Sequence, residues 1–116
     1  STALAGQVSD HESLRELVPW MLAHLHERLR VEDLAERAGM SERHFTRVFR
    51  DKTGYAPATY LERLRVEAAC RRLEESSRGT KEIALESGFT DADTMRRAFR
   101  RVLNTTPEQF RQHFCT

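Results

Sequence analysis

The chain has 116 residues, of which 39% are hydrophobic and 32% charged, enough for one compact domain or two very small ones that share a core. No apolar run approaches the ~20 residues that a membrane-spanning helix needs, and the first residues, STALAGQ, lack the charged-then-apolar layout of a secretory signal. Cys70 and Cys115 have no paired ligand spacing, which argues against a disulfide framework or a zinc site. We therefore expect a cytoplasmic protein with two free thiols.

Charge is distributed unevenly, although the formal net charge is only +1. Residues 1–40 contain four arginines and seven acidic residues, a net charge of −3. Subtracting these from the 19 basic and 18 acidic residues of the chain leaves 15 basic and 11 acidic groups in residues 41–116, a net charge of +4. The total is poor support for a nucleic-acid partner, but the basic part of the chain coincides with a sequence repeat.

Residues from about 11 to 28 are predicted to form an amphipathic helix, because their apolar side chains recur at helical spacing. Those side chains are Leu14, Leu17, Val18, Met21, Leu22, Leu25 and Leu29. Proline lacks an amide donor and clashes with the preceding turn, so Pro19 either kinks this helix or marks where its regular part begins. Trp20 is expected in the core; exposed, it would dock a further domain. A short helix from 31 to 38 follows, ended by Gly39.

The next two helices flank a break at Gly54 and Pro57. Ser41 is the predicted N-cap of the first, whose apolar stripe consists of Phe45, Val48 and Phe49. Residues from about 58 to 75 give the longest uninterrupted helical pattern. Its inward face is predicted to contain Tyr60, Leu61, Leu64, Ala68 and Leu73.

Three short helices complete the prediction. Thr80 is the expected N-cap of one that ends between residues 86 and 88, and Asp91 is the expected N-cap of another that ends at about Leu103. The last starts near Pro107, since proline suits the first helical turn, and uses the aromatic anchors Phe110 and Phe114. No segment alternates apolar and polar residues for long enough to be a strand. We therefore predict an all-α fold with about seven helices.

The sequence contains an internal repeat, in which GMSERHFTRVFRDKTGYAP at residues 39–57 resembles GFTDADTMRRAFRRVLNTTP at residues 88–107. Equivalent positions before the second helix of each copy lie 49 residues apart, and those within and after it lie 50 apart, which indicates one inserted residue. Asn104 is the counterpart of Gly54, and after glycine asparagine best tolerates the left-handed backbone conformation. Other equivalent pairs are Gly39 and Gly88, Arg47 and Arg97, Phe49 and Phe99, Arg50 and Arg100, Pro57 and Pro107, and Tyr60 and Phe110.

Each copy reads as a short helix, a turn of three or four residues that contains glycine, and a second helix, the layout of a helix-turn-helix. In that motif the second helix enters the major groove of DNA. Arginine suits such a helix because its planar guanidinium donates two hydrogen bonds at once to guanine or to phosphate. An arginine-rich helix face is more often ordinary solvated surface, but packing does not explain outward arginines at equivalent positions of both copies.

The chain resembles the C-terminal DNA-binding domain of AraC/XylS transcription regulators over roughly residues 10–115. The matching stretches are VEDLAERAGMSERHFTRVFRDKTGYAPATYLERLRVEAA and IALESGFTDADTMRRAFRRVLNTTPEQFRQHF. The resemblance implies recognition helices at about 42–52 and 92–103 in successive major-groove segments, roughly one helical turn (~34 Å) apart. It also implies, in chain order, a flexible segment at 1–9, a helix-turn-helix subdomain at 10–57, a linker helix at 58–75 and a second subdomain at 76–116.

Carried over position by position, the resemblance implies which side chains face DNA. The base-reading candidates are Arg43, Thr46, Arg47, Ala92, Asp93, Thr94 and Arg97. The phosphate-contacting candidates are Ser41, His44, Arg50, Lys81, Arg96, Arg100 and Arg101. Ala92 has no hydrogen-bonding side chain at this base-reading position, so it contacts either a thymine methyl or nothing. The carboxylate of Asp93 either orients an arginine or accepts from a cytosine amine.

Catalytic and metal sites are not expected. His24 and His26 are two residues apart on a predicted helix and cannot share a face, which disfavours a metal pair. Ser41, His44 and Asp51 include the residue types of a hydrolytic triad, but they lie on one short helix whose serine is a predicted cap. We therefore expect no enzyme, no metal and no cofactor.

The interpretation that unites these features is the double-stranded-DNA-binding domain of a bacterial transcription regulator. The sequence does not begin with Met, and the resemblance implies a longer protein with an N-terminal domain for effector sensing and dimerisation. RNA polymerase is a further candidate partner, and a membrane is not. The alternative is a helical protein-interaction module whose repeated arginine faces bind an acidic partner.

Overall fold

The computed structural model describes residues 9–114, with Phe114 described without its side chain. Residues 1–8 of the predicted flexible segment, the predicted thiol of Cys115 and the predicted anchoring by the Phe114 ring lie outside this description. The described residues form seven helices and no strand, which confirms the all-α prediction. None of these helices is long and apolar enough to cross a membrane. In chain order they are α1 Asp10–Ala23, α2 Val31–Arg37, α3 Glu42–Thr53, α4 Pro57–Glu75, α5 Thr80–Glu86, α6 Ala92–Leu103 and α7 Pro107–Phe114.

Helix α1 starts where a serine caps it. Ser9 has an extended backbone, and its hydroxyl accepts a hydrogen bond from the amide of Glu12 at 3.1 Å. The acidic residues Asp10 and Glu12 in the first turn stabilise the helix because they lie at the positive end of its dipole. Pro19 therefore lies inside the helix, and the alternative in which the regular helix begins only at this proline is wrong.

Helix α1 ends at Ala23, before the predicted end at about residue 28. The backbone amide and the ring Nδ1 of His24 both donate to the carbonyl of Trp20, at 3.1 and 2.8 Å. Leu25 is only 6% exposed although it lies outside the helix, and its carbonyl accepts a hydrogen bond from Nε of Arg65 at 3.2 Å. The apolar spacing beyond residue 24 therefore reflects burial of a non-helical segment.

The described chain divides into two compact units, and the first contains residues 9–24 and 29–60. Leu22 lies off its buried stripe and is 46% exposed. Trp20 is half-buried at the edge of the core, where its ring stacks on that of His24 with centroids 4.2 Å apart. The guanidinium carbon of Arg37 lies 4.0 Å from the centroid of the Trp20 ring. The prediction that Trp20 lies in the core is therefore wrong, because its ring packs against these two polar side chains. The buried hydrophobic residues of α1, α2 and α3 are Leu14, Leu17, Met21, Leu34, Ala35, Phe45, Val48 and Phe49.

The second unit contains residues 25–28 and 61–114. Helix α4 contributes Val66 and Ala69 to its core, and both are fully buried although the sequence pattern did not place them inward. Cys70 packs beside the core as a free thiol whose pKa is raised to about 11 by burial. The buried core cluster consists of Val66, Ala69, Leu73, Ile83, Ala84, Phe89, Met95, Ala98 and Phe99.

The turns of both helix-turn-helix copies use one backbone motif. At the end of α2, the amides of Gly39 and Met40 donate to carbonyls of the last helical turn at 3.0 and 2.9 Å. At the end of α5, the amides of Gly88 and Phe89 make the equivalent bonds at 3.2 and 2.9 Å. This pairing is a Schellman motif and needs a left-handed residue, which the glycines supply with φ values of 73° and 96°.

The second helix of each copy also ends in a left-handed residue. Gly54 has φ 84° after α3, and Asn104 has φ 56° after α6, which confirms that asparagine takes the role of glycine there. Pro57 and Pro107 then begin α4 and α7, and both are buried. Proline fits this position because amides in the first helical turn have no acceptor within the helix, so the missing amide of proline costs no hydrogen bond.

An edge-on aromatic pair fixes each of these second helices. The ring of Phe49 in α3 packs against Tyr60 with centroids 5.1 Å apart and an interplanar angle of 79°. In the second unit, Phe99 of α6 packs against Phe110 with centroids 6.2 Å apart and the same angle. The edge-to-face arrangement is one that aromatic rings favour, so the repeat extends from backbone to side-chain packing.

Helix α5 begins at Thr80, but Thr80 is not its N-cap, and the predicted cap is wrong. Gly79 occupies that position with an extended backbone and without a side-chain cap. The preceding loop is held instead by the guanidinium of Arg111, which donates to the backbone carbonyls of Leu73, Ser76 and Arg78 at 3.3, 3.1 and 2.7 Å.

We expect the two turn glycines to differ in their tolerance of a side chain. A Cβ added at Gly39 would meet no atom within 4 Å, whereas one at Gly88 would overlap the carbonyl oxygen of Leu25 and lie 2.7 Å from Nε of Arg65. Gly39→Ala should cost about 1 kcal/mol of unfolding free energy for the left-handed backbone. Gly88→Ala should cost roughly 1–3 kcal/mol more for overpacking.

Urea unfolding of both variants, followed by circular dichroism, measures this difference. Equal losses in the two variants would show that the crowding around Gly88 relaxes at no cost.

Candidate nucleic-acid interface

Helix α3 presents its polar side chains opposite its buried stripe. The hydroxyl of Ser41 caps the helix by accepting from the amide of His44 at 3.2 Å, as predicted. Phe45, Val48 and Phe49 are buried on one face of the helix, so side chains on the opposite face point to solvent. The outward candidates are Arg43, Arg47 and Arg50, which are exposed, and Thr46, which is half-buried.

A shallow depression of about 410 Å³ lies on this outer side, lined by Glu42, Arg43, Thr46, Arg47, Arg50 and Asp51. The structure thus brings the three base-reading candidates of the first copy together with one phosphate candidate. Among the described residues, Arg43 and Arg50 have no salt-bridge partner. Their guanidinium groups are therefore available to an anionic ligand.

His44 is held within the first unit by two contacts. Its Nε2 donates to Oδ2 of Asp10 at 3.1 Å, and its Nδ1 accepts from Nη2 of Arg47 at 3.1 Å. The ring therefore connects Asp10 of α1 to Arg47, one of the base-reading candidates of α3. Because Asp10 lies 34 residues away in sequence, no local pattern could predict this arrangement.

Helix α6 is capped by Asp91, as predicted. Oδ1 of Asp91 accepts from the amide of Thr94 at 2.7 Å, and this hydrogen bond is the main cause that lowers the pKa of the Asp91 carboxyl below its usual value. Ala92 follows the cap, and its side chain is half-buried against the core of the second unit. Thr94 is half-buried and Asp93 is exposed.

Three arginines of α6, Arg96, Arg97 and Arg101, are paired with carboxylates. Arg97 forms an ion pair with Asp93, one turn earlier on the helix. Arg96 contacts Asp93 at 3.6 Å and donates from Nη2 to Oε2 of Glu108 at 3.2 Å. The hydrogen bond to Glu108 raises the pKa of Arg96. Burial raises the pKa of Glu108, but hydrogen bonds from Arg96 and from its own backbone amide outweigh burial, and the net pKa is lowered.

Arg101 is bound by a carboxylate from helix α4. Its Nε and Nη2 donate to Oε1 and Oε2 of Glu62 at 3.2 and 2.7 Å, a bidentate pair. This hydrogen bonding raises the pKa of Arg101. By contrast, Arg100 and Lys81 are exposed and have no salt-bridge partner among the described residues.

The acidic partners are what sequence reasoning missed. Glu62 lies 39 residues before Arg101, and Glu108 lies 12 residues after Arg96. In each pair the two residues lie on different helices, so no local sequence pattern relates them. Only the packing of α4 and α7 against α6 brings these carboxylates to the arginines. Of the two sequence-based alternatives for Asp93, contact with arginine is the one present in the structure.

Comparison with known proteins assigns the fold. A family model described as a helix-turn-helix domain matches residues 34–113, which include both copies of the repeat. A regulator from Chromobacterium violaceum, described by its AraC-type DNA-binding domain, superposes with a TM-score of 0.80 at 31% identity, covering 87% of this chain and 90% of that one. The chain belongs to the AraC/XylS family.

Other proteins to which the chain is similar are also transcription factors or regulators. The DNA-binding domain of AdpA, a global transcriptional factor solved in complex with a target DNA, has a TM-score of 0.84 at 44% identity, covering 88% of this chain and 92% of that one. The HTH-type transcriptional regulator Rv1931c of Mycobacterium tuberculosis is 52% identical over 73% of this chain and 33% of its own length. The activator RhaS of Salmonella schwarzengrund is 33% identical over 97% of this chain and 40% of its own length. The chain thus spans about a third of the length of these curated relatives.

We expect the charged cap of α6 to make stability depend on pH. The folded-state pKa of Asp91 is lowered, so its contribution is present above the unfolded-state pKa and is lost as pH falls through the folded-state pKa. Asp91→Asn keeps a capping oxygen but does not titrate there. Urea unfolding between about pH 5 and pH 2 should show the wild type's advantage over Asp91→Asn shrinking as the solution becomes more acidic.

The equivalent cap of α3 supplies a matched control. Ser41→Asn exchanges one neutral cap for another, so its effect on stability should be the same at each pH. A constant difference between the wild type and Asp91→Asn across this range would contradict the charged-cap interpretation.

Proposed function

We propose that this AraC/XylS domain binds double-stranded DNA sequence-specifically, with α3 and α6 as recognition helices in successive major-groove segments. The observation that carries the proposal is the repetition of exposed arginines at equivalent positions, Arg47 with Arg97 and Arg50 with Arg100, on helices whose opposite faces are buried. A helix held in this way can enter a major groove with its packing intact. The target-DNA complex of the AdpA domain supports the same use of the fold.

The proposed roles divide the outward side chains by reach and chemistry. Arg47 and Arg97 read bases, because both lie in the middle of an exposed helix face and a guanidinium grips guanine O6 and N7 with two hydrogen bonds. The other proposed base contacts are Arg43, Thr46, Ala92, Asp93 and Thr94. The proposed phosphate contacts are Ser41, His44, Arg50, Lys81, Arg96, Arg100 and Arg101.

Ala92 and Asp93 have restricted roles within this proposal. The side chain of Ala92 is a methyl group that cannot hydrogen-bond, so the base feature it can contact is a thymine methyl. Asp93 holds Arg97 by an ion pair and thereby limits the directions from which that arginine approaches a base. For the whole protein, we propose an N-terminal effector and dimerisation domain and contact with RNA polymerase, a proposal supported by the greater length of its relatives.

Selection of bound sequences from a random DNA pool, followed by titration across ionic strength, tests DNA binding directly. Each phosphate neutralised by a cation contributes about −0.9 to the slope of log K against log salt. The unpaired cations Arg50, Lys81 and Arg100 predict a slope of about −2.7, and adding Arg96 and Arg101 predicts about −4.5. Absent binding, or a flat slope without sequence preference, would favour the rival function, a module that binds an acidic protein.

Single substitutions should separate the two kinds of contact. Arg47→Ala and Arg97→Ala should each cost about 1–3 kcal/mol on the selected site and relax its sequence requirement. Arg50→Ala should weaken selected and random duplexes alike and lower the salt slope by about one. Binding isotherms on both duplexes measure these effects. If all three variants lost the same affinity on both duplexes, the division into base and phosphate contacts would be wrong.

A further inference from the structure

The two recognition helices differ in how their arginines are neutralised. In the first unit, Arg43 and Arg50 have no salt-bridge partner among the described residues. In the second unit, Arg96, Arg97 and Arg101 are each paired with a carboxylate. The scaffold of the repeat is therefore conserved between the copies of this chain while the charge that each copy offers to a phosphate is not.

The pair of Glu62 and Arg101 has the geometry of a phosphate contact. Both carboxylate oxygens of Glu62 accept from the Nε and Nη2 edge of the guanidinium, at 3.2 and 2.7 Å. This edge is the one that a phosphate would also take in a bidentate contact. The Glu62 side chain is 26% exposed and that of Arg101 is 58% exposed, so the carboxylate is the better-anchored partner. A DNA phosphate must replace Glu62 to obtain the same two hydrogen bonds.

Such a replacement depends on register. In a specific complex the base contacts fix where each phosphate lies, so one phosphate can be presented steadily to Arg101. In a non-specific complex the duplex slides and its phosphates change position relative to the helix. An exposed ion pair is weak, so in the specific complex a fixed phosphate can replace Glu62 as the partner of Arg101. In the non-specific complex the pair of Glu62 and Arg101 forms again whenever the phosphate moves away.

We propose that Glu62 is a specificity-determining positioning residue, which withholds Arg101 from the phosphates of non-target DNA. Glu108 acts in the same way on Arg96, which it contacts at 3.2 Å. This inference rests on the proposed DNA-binding function and deepens it, since it assigns a role to two carboxylates that are not among the proposed DNA contacts. The specificity ratio is raised because sequence-independent affinity, which comes from phosphate neutralisation, is reduced.

The test is Glu62→Gln, which removes the charge and keeps the shape of the side chain. Release of one arginine to phosphate should raise affinity for a random duplex by up to about eightfold at 0.1 M salt and steepen the salt slope by about 0.9. Affinity for the selected site should rise less, so the ratio of the affinity for the selected site to that for the random duplex should fall. Glu108→Gln should act in the same direction through Arg96.

Two controls isolate the mechanism. Glu67→Gln removes the same charge from the same helix at an exposed position without a salt bridge among the described residues, and it should leave the slope unchanged. When Arg101→Gln is already present, Glu62→Gln should change neither the salt slope of binding nor the ratio of the affinities for the selected and random duplexes. Thermal unfolding of each variant verifies that the fold is intact.

The outcomes are distinguishable. Equal behaviour of Glu62→Gln and Glu67→Gln, or weaker DNA binding by Glu62→Gln, would overturn the inference; the latter would mean that Glu62 prepares Arg101 for phosphate. Either result would leave DNA binding itself intact. If the unmodified chain bound no duplex at any salt concentration, the proposed function would fail, and the inference would fail with it.

Discussion

Burial of one apolar stripe on the second helix of each helix-turn-helix copy is the constraint on which the rest of the structure depends. Phe45 and Phe49 in α3, and Met95 and Phe99 in α6, are fully buried. Because residues one turn apart share a helix face, burying these positions fixes the rotation of the helix about its axis. The arginines on the opposite face of each helix then point to solvent. The caps at Ser41 and Asp91 set where the helices begin, and the left-handed residues Gly54 and Asn104 set where they end.

The same scaffold supports two different electrostatic surfaces. In the first unit, Arg43 and Arg50 of α3 have no salt-bridge partner among the described residues. Arg47 donates a hydrogen bond to Nδ1 of His44 and forms no ion pair with a carboxylate there. In the second, carboxylates from α4, α6 and α7 contact three arginines of α6. Two copies that agree in backbone geometry and core packing can therefore contribute unequally to DNA binding, since affinity for phosphate follows available charge.

Most of the fold was predictable because its determinants are local. The caps at Ser41 and Asp91, the left-handed Asn104 and the helix-starting Pro107 are all short-range chemistry, and the structure confirms each. The errors occur where a distant group decides. Leu25 kept helical spacing, yet Arg65 binds its carbonyl and Gly88 lies close beside it. Thr80 resembled a cap, yet Arg111 fixes the preceding loop.

The sequence alone determined the helix-turn-helix repeat and the outward placement of Arg47, Arg50, Arg97 and Arg100, because periodicity, capping and turn chemistry act over a few residues. Only the tertiary structure decided which of the outward arginines are neutralised. The ion pair between Glu62 and Arg101 joins residues 39 positions apart, and such a contact exists only after two helices pack together. Charge that is merely present can thus be read from a sequence, whereas charge that is available to a ligand depends on which carboxylates the fold brings beside it.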